Sequence, residues 1–248
     1  MGYVFTFNDA LSYDRWCTRP GNRAVAAFEN RLMNQMLQPI SGRTVLDIGC
    51  GIGMGTMSLL DAGLQVTGID PSPYMLDIAK SRIGNRVDFH RGIAENLPFG
   101  DNEFNYSCLV TTLEFVENPQ KTLEEAFRVS RDKIFIGILN PYAIKSIQRR
   151  IKGIFATTIY NRARFFSIWE IKQMIHSLLG DVPVLWQSIC HFPNPTNPLV
   201  NRLEQSKIIR KSPFGTFIGI AVIPVPRFRS RPLALKYHAK TKHETAAG

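Results

Sequence analysis

The spacing of apolar and polar residues changes at about residue 44. From there, apolar runs of strand length alternate with stretches in which apolar residues recur every three or four positions. Strands that alternate with helices of this length form parallel sheets, because the chain must cross a face of the sheet to begin the next strand in the same direction. The pattern therefore predicts an α/β domain with strands at residues 44–48, 65–69, 86–90, 104–110 and 133–139, and helices at 54–62, 73–81 and 120–130.

The residues ahead of this domain predict a helical extension. Between residues 23 and 37, apolar side chains fall near a 3.6-residue period, which gives a helix one apolar face. Pro20-Gly21 breaks the pattern just before it, so we expect the helix to start at a turn. Residues 1–40 are therefore interpreted as an N-terminal helical cap.

Beyond residue 139 the pattern loosens. It predicts a basic helix, an aromatic-rich insertion and two further strands, at residues 143–152, 153–166, 182–189 and 215–223 respectively. The main domain is expected to span 41–225, with substrate-side insertions near 140–166 and 191–210. The tail, 226–248, is basic and has too few clustered apolar residues to pack, so we expect it to be mobile.

Capping residues support two of the helix boundaries. Ser72 places a hydroxyl ahead of Pro73 at the first helical position. Ser167 and Glu170 have the spacing of a capping box before an amphipathic run that stops at Gly180.

The charge of the chain is unevenly distributed. Of 248 residues with a net charge of +10, the first 143 hold 13 Lys and Arg against 16 Asp and Glu, whereas residues 144–248 hold 17 against 4. A basic C-terminal part is compatible with an anionic substrate, an acidic membrane surface or nucleic acid, and equally with a solvated face that only keeps the protein soluble. No specific nucleic-acid motif accompanies it, so peripheral contact with an anionic surface is the more general expectation.

Cysteine usage and hydropathy favour a cytoplasmic protein. The four cysteines form no CxxC pair and no Cys/His cluster at metal spacing, so neither a disulfide nor a metal site is expected. No apolar run reaches the roughly 18 to 20 residues of a membrane-spanning helix, and the N-terminus lacks the pattern of a signal peptide.

A glycine-rich stretch, VLDIGCGIGMG at residues 45–55, follows the first predicted strand. A strand, a glycine loop and a helix form the first crossover of open α/β sheets, where nucleotide-like ligands bind on bare backbone. The dinucleotide fingerprint G-x-G-x-x-G fails here, because its third position falls on Met54 when it starts at Gly49, and on Thr56 when it starts at Gly51. The loop therefore does not favour a pyrophosphate.

Two acids near this loop narrow the ligand class. Asp47 precedes the first glycine, where its charge would repel a pyrophosphate and attract a cation. Asp70 ends the next predicted strand, 21 residues past Gly49, which is the expected place for a carboxylate that binds ribose hydroxyls. S-adenosylmethionine carries an ammonium, a sulfonium and a ribose, whereas NAD shares only the ribose.

Four motifs in order across residues 44–119 carry a family resemblance. They are VLDIGCGIG, GIDPSPYML, GIAENLPFGDNEF and FNYSCLVTTLEFVENP. The chain resembles class I S-adenosylmethionine-dependent methyltransferases, the broad group that includes the ubiquinone and menaquinone biosynthesis enzymes. The resemblance implies a Rossmann-like, seven-stranded, mostly parallel sheet with helices on both faces and an antiparallel last strand, and S-adenosyl-L-methionine as the cofactor.

The resemblance also implies roles for individual residues. Gly49 and Gly51 should approach the methionine part of the cofactor, Asp70 the ribose, and the segment from Ile93 the adenine. The whole expected cofactor set is Tyr13, Asp47, Gly49, Cys50, Gly51, Gly53, Asp70, Pro71, Met75, Ile93, Ala94, Glu95, Val110 and Thr111.

The sequence offers no obvious catalytic base. A sulfonium already makes its methyl group electrophilic, so a base is required only if the acceptor must lose a proton. Glu114 stands just past the fourth predicted strand, where members of the family often carry His, and is the candidate base; the alternative is a solvated or capping acid. Tyr13 and Trp16 could place aromatic faces against the sulfonium, or simply pack in the core.

The acceptor site is expected among the variable segments. The two insertions combine aromatic residues with arginines, which suggests a hydrophobic or aromatic acceptor that can carry negative charge, or else a lid with a basic outer face. The residues concerned are Phe155, Tyr160, Phe165, Phe166, Trp169, Phe192 and Pro195, with Arg149, Arg150, Arg162 and Arg164. The favoured function is methyl transfer to a small-molecule or lipid-like acceptor; RNA or protein methylation and a non-catalytic cofactor-binding role remain open.

Overall fold

The computed structural model describes residues 2–143, 163–191 and 206–224. Its helices are α1 (Phe7–Thr18), α2 (Pro20–Leu37), α3 (Met54–Asp61), α4 (Pro73–Ile83), α5 (Pro119–Val129), α6 (Ile168–Leu179) and the short α7 (Lys207–Arg210). Its strands are β1 (Thr44–Ile48), β2 (Gln65–Asp70), β3 (Asp88–Arg91), β4 (Phe104–Val110), β5 (Ser130–Leu139), β6 (Val184–Ile189) and β7 (Phe217–Val222).

The seven strands form one sheet in the order β3-β2-β1-β4-β5-β7-β6. Strands β1 to β5 pair in parallel, and β7 pairs antiparallel with both β5 and β6. The predicted mostly parallel sheet with an antiparallel last strand is therefore confirmed. The chain leaves β1 toward β2 on one side and returns to β4 on the other, so the carboxyl ends of β1 and β4 flank a topological switch point, where ligands of open α/β sheets bind.

Alternation along the strands separates two cores. In β5, Ile134, Ile136 and Ile138 point to the face covered by α5 and α6, whereas Phe135 points to the face covered by α2 and α3. All four side chains are fully buried. A strand with apolar residues at successive positions has to be covered on both sides, and this is why the sequence shows continuous apolar runs rather than alternation.

Helix caps fix the entry points of several helices. The hydroxyl of Ser72 accepts from the N–H of Met75, and the side chain of Asn118 accepts from the N–H of Lys121, each directly before a proline at the first helical position. The predicted capping box of Ser167 is present and opens α6.

The N-terminal region departs from the sequence prediction. It contains two helices rather than one, and Pro20 is the first residue of α2 instead of a break before it. Helix α1 was missed because its apolar face is narrow; a capping box between Thr6 and Asp9 starts it. Strand β3 also begins two residues later than predicted, since Gly84–Arg86 forms a short 3-10 turn.

Several expectations concern residues outside the described ranges. They are the basic helix at 143–152 apart from its first residue, most of the insertions at 153–166 and 191–210, and the tail at 226–248. Among the described helices, none is long and apolar enough to cross a lipid bilayer.

Candidate active site

The glycine loop is anchored on the neighbouring strand. After β1, the N–H groups of Gly49 and Cys50 both donate to the carbonyl of Ile69, at 2.7 and 3.1 Å. Gly53 has φ 82° and caps α3, and a Cβ there would lie 2.7 Å from Cδ1 of Ile83. This glycine is required by the fold of the loop rather than by a ligand.

The absence of a side chain at Gly51 has a different explanation. Its φ is 51°, in the left-handed region, and a Cβ added there would meet no protein atom within 4 Å. The residue lines a cavity, so its backbone faces open space at the carboxyl end of β1. Such a position allows a ligand to lie directly on the main chain.

Asp70 is held in a fixed orientation beside this loop. Its Oδ2 accepts from the N–H of Gly51 at 2.9 Å, and its Oδ1 accepts from the N–H of Ser72 at 2.8 Å. Burial raises the pKa of Asp70 to about 6, against the lowering effect of these two hydrogen bonds. Each carboxylate oxygen keeps further lone-pair capacity, so the group can accept from ligand hydroxyls without moving.

Asp47 lies deeper, at 3% exposure. Its Oδ2 accepts from the hydroxyl of Thr56 at 2.6 Å. Burial raises the pKa of Asp47 to about 6; the Thr56 hydrogen bond opposes this, and the nearby charge of Asp70 adds to it. Two buried acids on adjacent strands that disfavour each other's ionisation make this end of the sheet attractive to a cation.

The end of β4 forms the opposite wall. Thr111 adopts φ 51°, which residues with a Cβ seldom do, and its N–H donates to the carbonyl of Gly137 at 2.8 Å. The hydroxyl of Thr112 donates to the carbonyl of Ile48 at 2.8 Å, which ties the end of β4 to the end of β1. Strand β4 therefore stops abruptly beside the glycine loop.

The predicted adenine segment lies at the far side of β2. Ile93, Ala94 and Glu95 line the cavity there. One carboxylate oxygen of Glu95 accepts from the N–H of Glu117 at 2.9 Å, so this side chain also joins the segment to the start of α5.

The N-terminal residues close over the sheet. The N–H of Tyr3 donates to the carbonyl of Phe115 at 2.7 Å, and the hydroxyl of Ser72 donates to the carbonyl of Phe5 at 2.7 Å. Further along, Arg82 on α4 pairs with Asp14 of α1 and donates to the carbonyl of Ile52. Helix α1 is thus attached to both the glycine loop and α4.

Aromatic side chains line the inner side of this closure. The rings of Tyr13 and Trp16 stack at 5.9 Å between centroids, and both residues face the cavity. Phe5 and Phe115 meet edge to face at 5.1 Å. The cavity is therefore covered by apolar surface that limits the entry of water.

The cavity has a volume of about 650 Å³, within the range of small-molecule sites. It brings together every expected cofactor residue except Gly53. It also includes residues that the sequence reasoning did not assign, on α1, on α2 and at the ends of β5, β6 and β7. These additional lining residues include Cys17, Val25, Ala26, Glu29, Asn30, Thr112, Leu139, Cys190, Thr216 and Phe217.

Glu114 lies outside the set of residues that line the cavity. It is 2% exposed, its Oε1 accepts from the N–H of Leu139 at 2.6 Å, and its Oε2 is buried without a hydrogen-bond partner in the described part of the chain. Burial raises the pKa of Glu114 to about 8, although the hydrogen bonds lower it. A largely protonated carboxyl in this position supports the end of β5 and is poorly placed to take a proton from a substrate.

The three histidines among the described residues also lie outside the cavity lining. His90 pairs with Asp88 at 2.9 Å, His176 with Asp181 at 3.3 Å, and His191 with Ser188 at 3.0 Å. All four cysteines of the chain are buried with free thiols.

Comparison with known proteins identifies the domain. The family model described as "Methyltransferase domain" matches residues 46–135, which include the glycine loop, Asp70 and the end of β4. Residues 46–135 match a methyltransferase domain, and the fold is that of class I methyltransferases. The resemblance noted in the sequence is thereby confirmed.

Two curated relatives match part of this chain. The demethylmenaquinone methyltransferase of Paenarthrobacter aurescens is 41% identical over 90 residues, 36% of this chain and 35% of that protein. An uncharacterised protein of Methanocaldococcus jannaschii is 36% identical over 134 residues, 52% of this chain and 62% of that protein. The chain thus spans between about a third and three fifths of the length of these relatives.

Solved structures extend the similarity to most of the fold. A methyltransferase of Thermotoga maritima, described as a possible histamine N-methyltransferase, is 25% identical with a TM-score of 0.64, covering 88% of this chain and 96% of its own. Magnesium protoporphyrin IX methyltransferase of Synechocystis, with S-adenosylhomocysteine bound, is 14% identical with a TM-score of 0.64, covering 88% and 97%. The second likeness concerns the fold alone.

Proposed function

We propose that the protein is an S-adenosylmethionine-dependent methyltransferase that acts on a small-molecule acceptor. One observation carries this proposal: a single cavity contains the open backbone at Gly51 and both buried acids, and continues past Thr111 to the ends of β5, β6 and β7. A cavity with this course has room for a donor at one end and an acceptor at the other.

The residues around Gly51 fit the cofactor. A side chain at Gly51 would fill space that is now open, and Asp70 is already oriented by two backbone N–H groups. Asp47 and Asp70 favour a ligand with positive charge over a pyrophosphate. S-adenosylmethionine, when bound, supplies a methyl group on a positively charged sulfur.

The remaining lining residues would position and shield the reactants. Tyr13 and Trp16 present stacked aromatic faces, which attract a cation by roughly 0.5–2 kcal/mol. Thr111 and Val110 also line the cavity, at the end of β4. The main contribution of the protein is then orientation in a site that excludes water, and Glu114 supplies structural support rather than base catalysis.

The acceptor remains a proposal. A quinone-like acceptor is suggested only by the names of relatives that are matched over 35% to 42% of their own length. The expected arginines at 149, 150 and 162 lie outside the described residues, and the guanidinium of Arg164 lies 4.9 Å from the ring centroid of Phe166 instead of lining the cavity. The size of the cavity, about 650 Å³, favours a small acceptor over RNA or protein. Contact of the basic C-terminal part with an anionic surface also remains a prediction.

Calorimetry with three ligands tests the proposal. We expect S-adenosylmethionine and S-adenosylhomocysteine to bind with one site per chain, and NAD to bind far more weakly. NAD binding without affinity for either S-adenosyl compound would contradict the assignment. Transfer of a labelled methyl group to a panel of small acceptors would then separate an enzyme from a non-catalytic cofactor-binding protein.

A further inference from the structure

Three exposed aromatic side chains lie at the carboxyl end of β5. They are Tyr142, Trp169 and Phe214, which are 54%, 59% and 64% exposed, and we call them the aromatic rim. The rings of Tyr142 and Trp169 contact each other edge to face at 6.2 Å between centroids. Single apolar side chains scattered over a surface are ordinary, whereas a cluster of them indicates a binding surface.

The fully buried side chain of Asn140, directly after β5, ties two parts of the rim together. Its Nδ2 donates to the carbonyls of Pro213 and Gly215 at 2.7 and 2.8 Å, on either side of Phe214. Its Oδ1 accepts from the N–H of Tyr142 at 3.1 Å. The rim is therefore held in place by the end of the sheet, although its side chains face solvent.

The rim borders the end of the sheet that carries the cavity. Leu139, the last residue of β5, pairs with Phe217 of β7, and both residues line the cavity. None of the three rim residues lines it. A partner bound to the rim would thus lie beside the cavity without filling it.

Both ends of a basic segment, residues 144–162, reach the rim. At one end the segment follows Tyr142 after a single residue; at the other, the N–H of Arg164 donates to the carbonyl of Glu114, whose side chain accepts from Leu139. The segment lies outside the described residues, but by sequence it holds five Lys and Arg, five Ile, and no Asp or Glu. Its net positive charge is thus attached to the chain at the rim.

The described residues near the rim add to this charge. Arg164 and Lys172 are exposed, and Lys172 lies one turn after Trp169 on α6. Glu170 is the acid beside them, and its carboxylate accepts from both the N–H and the hydroxyl of Ser167. The rim therefore combines exposed aromatic surface with an excess of positive charge, which complements an anionic partner.

We propose that the aromatic rim is a membrane-docking surface, whose partner is a bilayer that contains anionic lipid. Trp and Tyr favour the boundary between head groups and acyl chains, because their rings are apolar at one end and polar at the other. Neighbouring Lys and Arg are attracted to anionic head groups, and the attraction increases with their number. The five isoleucines of the attached segment favour a bilayer over RNA, which is bound through base stacking and phosphate contacts.

Co-sedimentation of the full chain with vesicles tests the proposal. The vesicles are phosphatidylcholine, either alone or with phosphatidylglycerol as about a third of the lipid, at about 0.1 M salt. We expect the anionic vesicles to bind at least about tenfold more tightly, and most of this difference to disappear at about 1 M salt. Equal binding to both kinds of vesicle, or binding to neither, overturns the proposal.

Variants locate the contact. Trp169→Ala and Phe214→Ala should each weaken binding to the anionic vesicles about threefold to tenfold, because each removes an apolar side chain that would leave water. Leu185→Ala is the matched control, since Leu185 is 62% exposed but pairs with Ala221, toward the opposite end of the sheet from Phe217. This control should bind like the wild type. Rim variants that also bind like the wild type overturn the assignment of the surface.

Fluorescence quenching provides a measurement that does not depend on affinity. Phosphatidylcholine with brominated acyl chains quenches a tryptophan that contacts the apolar layer, so it should lower the emission of the vesicle-bound wild type. Trp169→Phe retains an aromatic ring and should still bind, but it should lose most of this decrease. A decrease of the same size in Trp169→Phe would contradict contact between Trp169 and the bilayer.

A fluorescein-labelled oligouridine of about 20 nucleotides tests the competing partner. We expect this RNA to leave the protein bound to the anionic vesicles. If the RNA instead displaces the vesicles, and its own binding is weakened by Trp169→Ala, the rim is a nucleic-acid interface and the proposal fails. None of these measurements requires methyl transfer, so their outcome is independent of the proposed function.

Discussion

Asp70 is the side chain whose geometry most directly predicts an effect on binding. Asp70→Asn keeps the shape but removes the charge, and charge-assisted hydrogen bonds are worth roughly 1.5–3 kcal/mol each. We expect S-adenosylhomocysteine to bind between about tenfold and a hundredfold more weakly to this variant by calorimetry.

A matched control for Asp70→Asn is available on the surface. Asp61 is exposed at the end of α3 and does not line the cavity, so Asp61→Asn should bind like the wild type. Equal affinity for S-adenosylhomocysteine in the two variants would show that Asp70 does not bind the cofactor.

The raised pKa of Glu114 predicts that the stability of the protein depends on pH. Its pKa is about 8 in the folded chain, against 4.5 for a solvent-exposed glutamate, so the folded state holds the proton more tightly. The free energy of unfolding should therefore fall as the pH rises from about 4.5 to about 8, and level off above that. Asp47 and Asp70, with pKa values of about 6, contribute only to the lower part of this window.

Glu114→Gln isolates this contribution. The amide oxygen can still accept from the N–H of Leu139, but the group cannot ionise. Urea unfolding at pH 6 and pH 8 should show a loss of stability in the wild type on the order of a few kcal/mol, and a much smaller loss in the variant. Parallel profiles for the two proteins would show that the Glu114 carboxyl does not titrate in this range.

In the loop between β1 and α3, substitution of one glycine should mainly lower stability, and substitution of another should mainly lower cofactor affinity. Gly53→Ala adds a Cβ 2.7 Å from Ile83 at a φ of 82°, so it should lower the free energy of unfolding by several kcal/mol. Gly51→Ala meets open space and costs only about 1–2 kcal/mol for its φ, but it occupies the space offered to the ligand. We therefore expect it to reduce cofactor affinity more than stability, as measured by calorimetry and urea unfolding.

The reverse order, with Gly51→Ala mainly unfolding the protein and Gly53→Ala mainly losing affinity, would contradict this division. It would mean that the ligand approaches the loop from the α4 side.

The central elements were predictable because their signals are local. Strands β1, β2, β4 and β5 are covered on both faces, so they appear as short stretches rich in apolar residues, and the helices between them begin at caps such as Ser72-Pro73. Helix α1 was not predictable in this way, since only Ala10 and Cys17 are buried along it. Its position depends on tertiary contacts, above all the pair between Asp14 and Arg82.

The candidate site likewise has a part that the sequence predicts and a part that it does not. The cofactor residues stand in contiguous motifs, and the loop at Gly49 to Gly51 could be recognised from spacing alone. The cavity also contains Glu29, Leu139 and Thr216, which are far apart in the sequence and come together through the packing of α2 on the antiparallel end of the sheet. No motif links these residues, so the sequence did not predict that they line the site.

For the whole molecule, ligand binding and proton binding should be linked. Asp47 and Asp70 are held at pKa values of about 6 by burial, and a cationic ligand prefers their ionised forms. The affinity for S-adenosylmethionine should therefore fall as the pH drops below about 6, and reach a plateau above about 7.

Thermal unfolding measures this linkage. A ligand at about 100 times its Kd stabilises the folded state by about 2.7 kcal/mol, so the rise in Tm at a fixed ligand concentration should be larger at pH 7.5 than at pH 5. The binding enthalpy at pH 6 should also depend on the ionisation enthalpy of the buffer, because protons are released. A rise in Tm that is independent of pH would show that neither acid faces the ligand.

The burial of all four thiols gives the chain four internal reporters of local opening. Cys17 lies in α1, Cys50 in the glycine loop, Cys108 in β4 and Cys190 just after β6. Burial raises the pKa of Cys17 to about 11 and holds that of Cys50 well above its usual range, so each thiol should react with an alkylating reagent only while its own region is exposed to solvent. Timed alkylation followed by peptide mass mapping would thus rank the opening rates of these four regions in the unmodified protein, with Cys17 expected to react before Cys108.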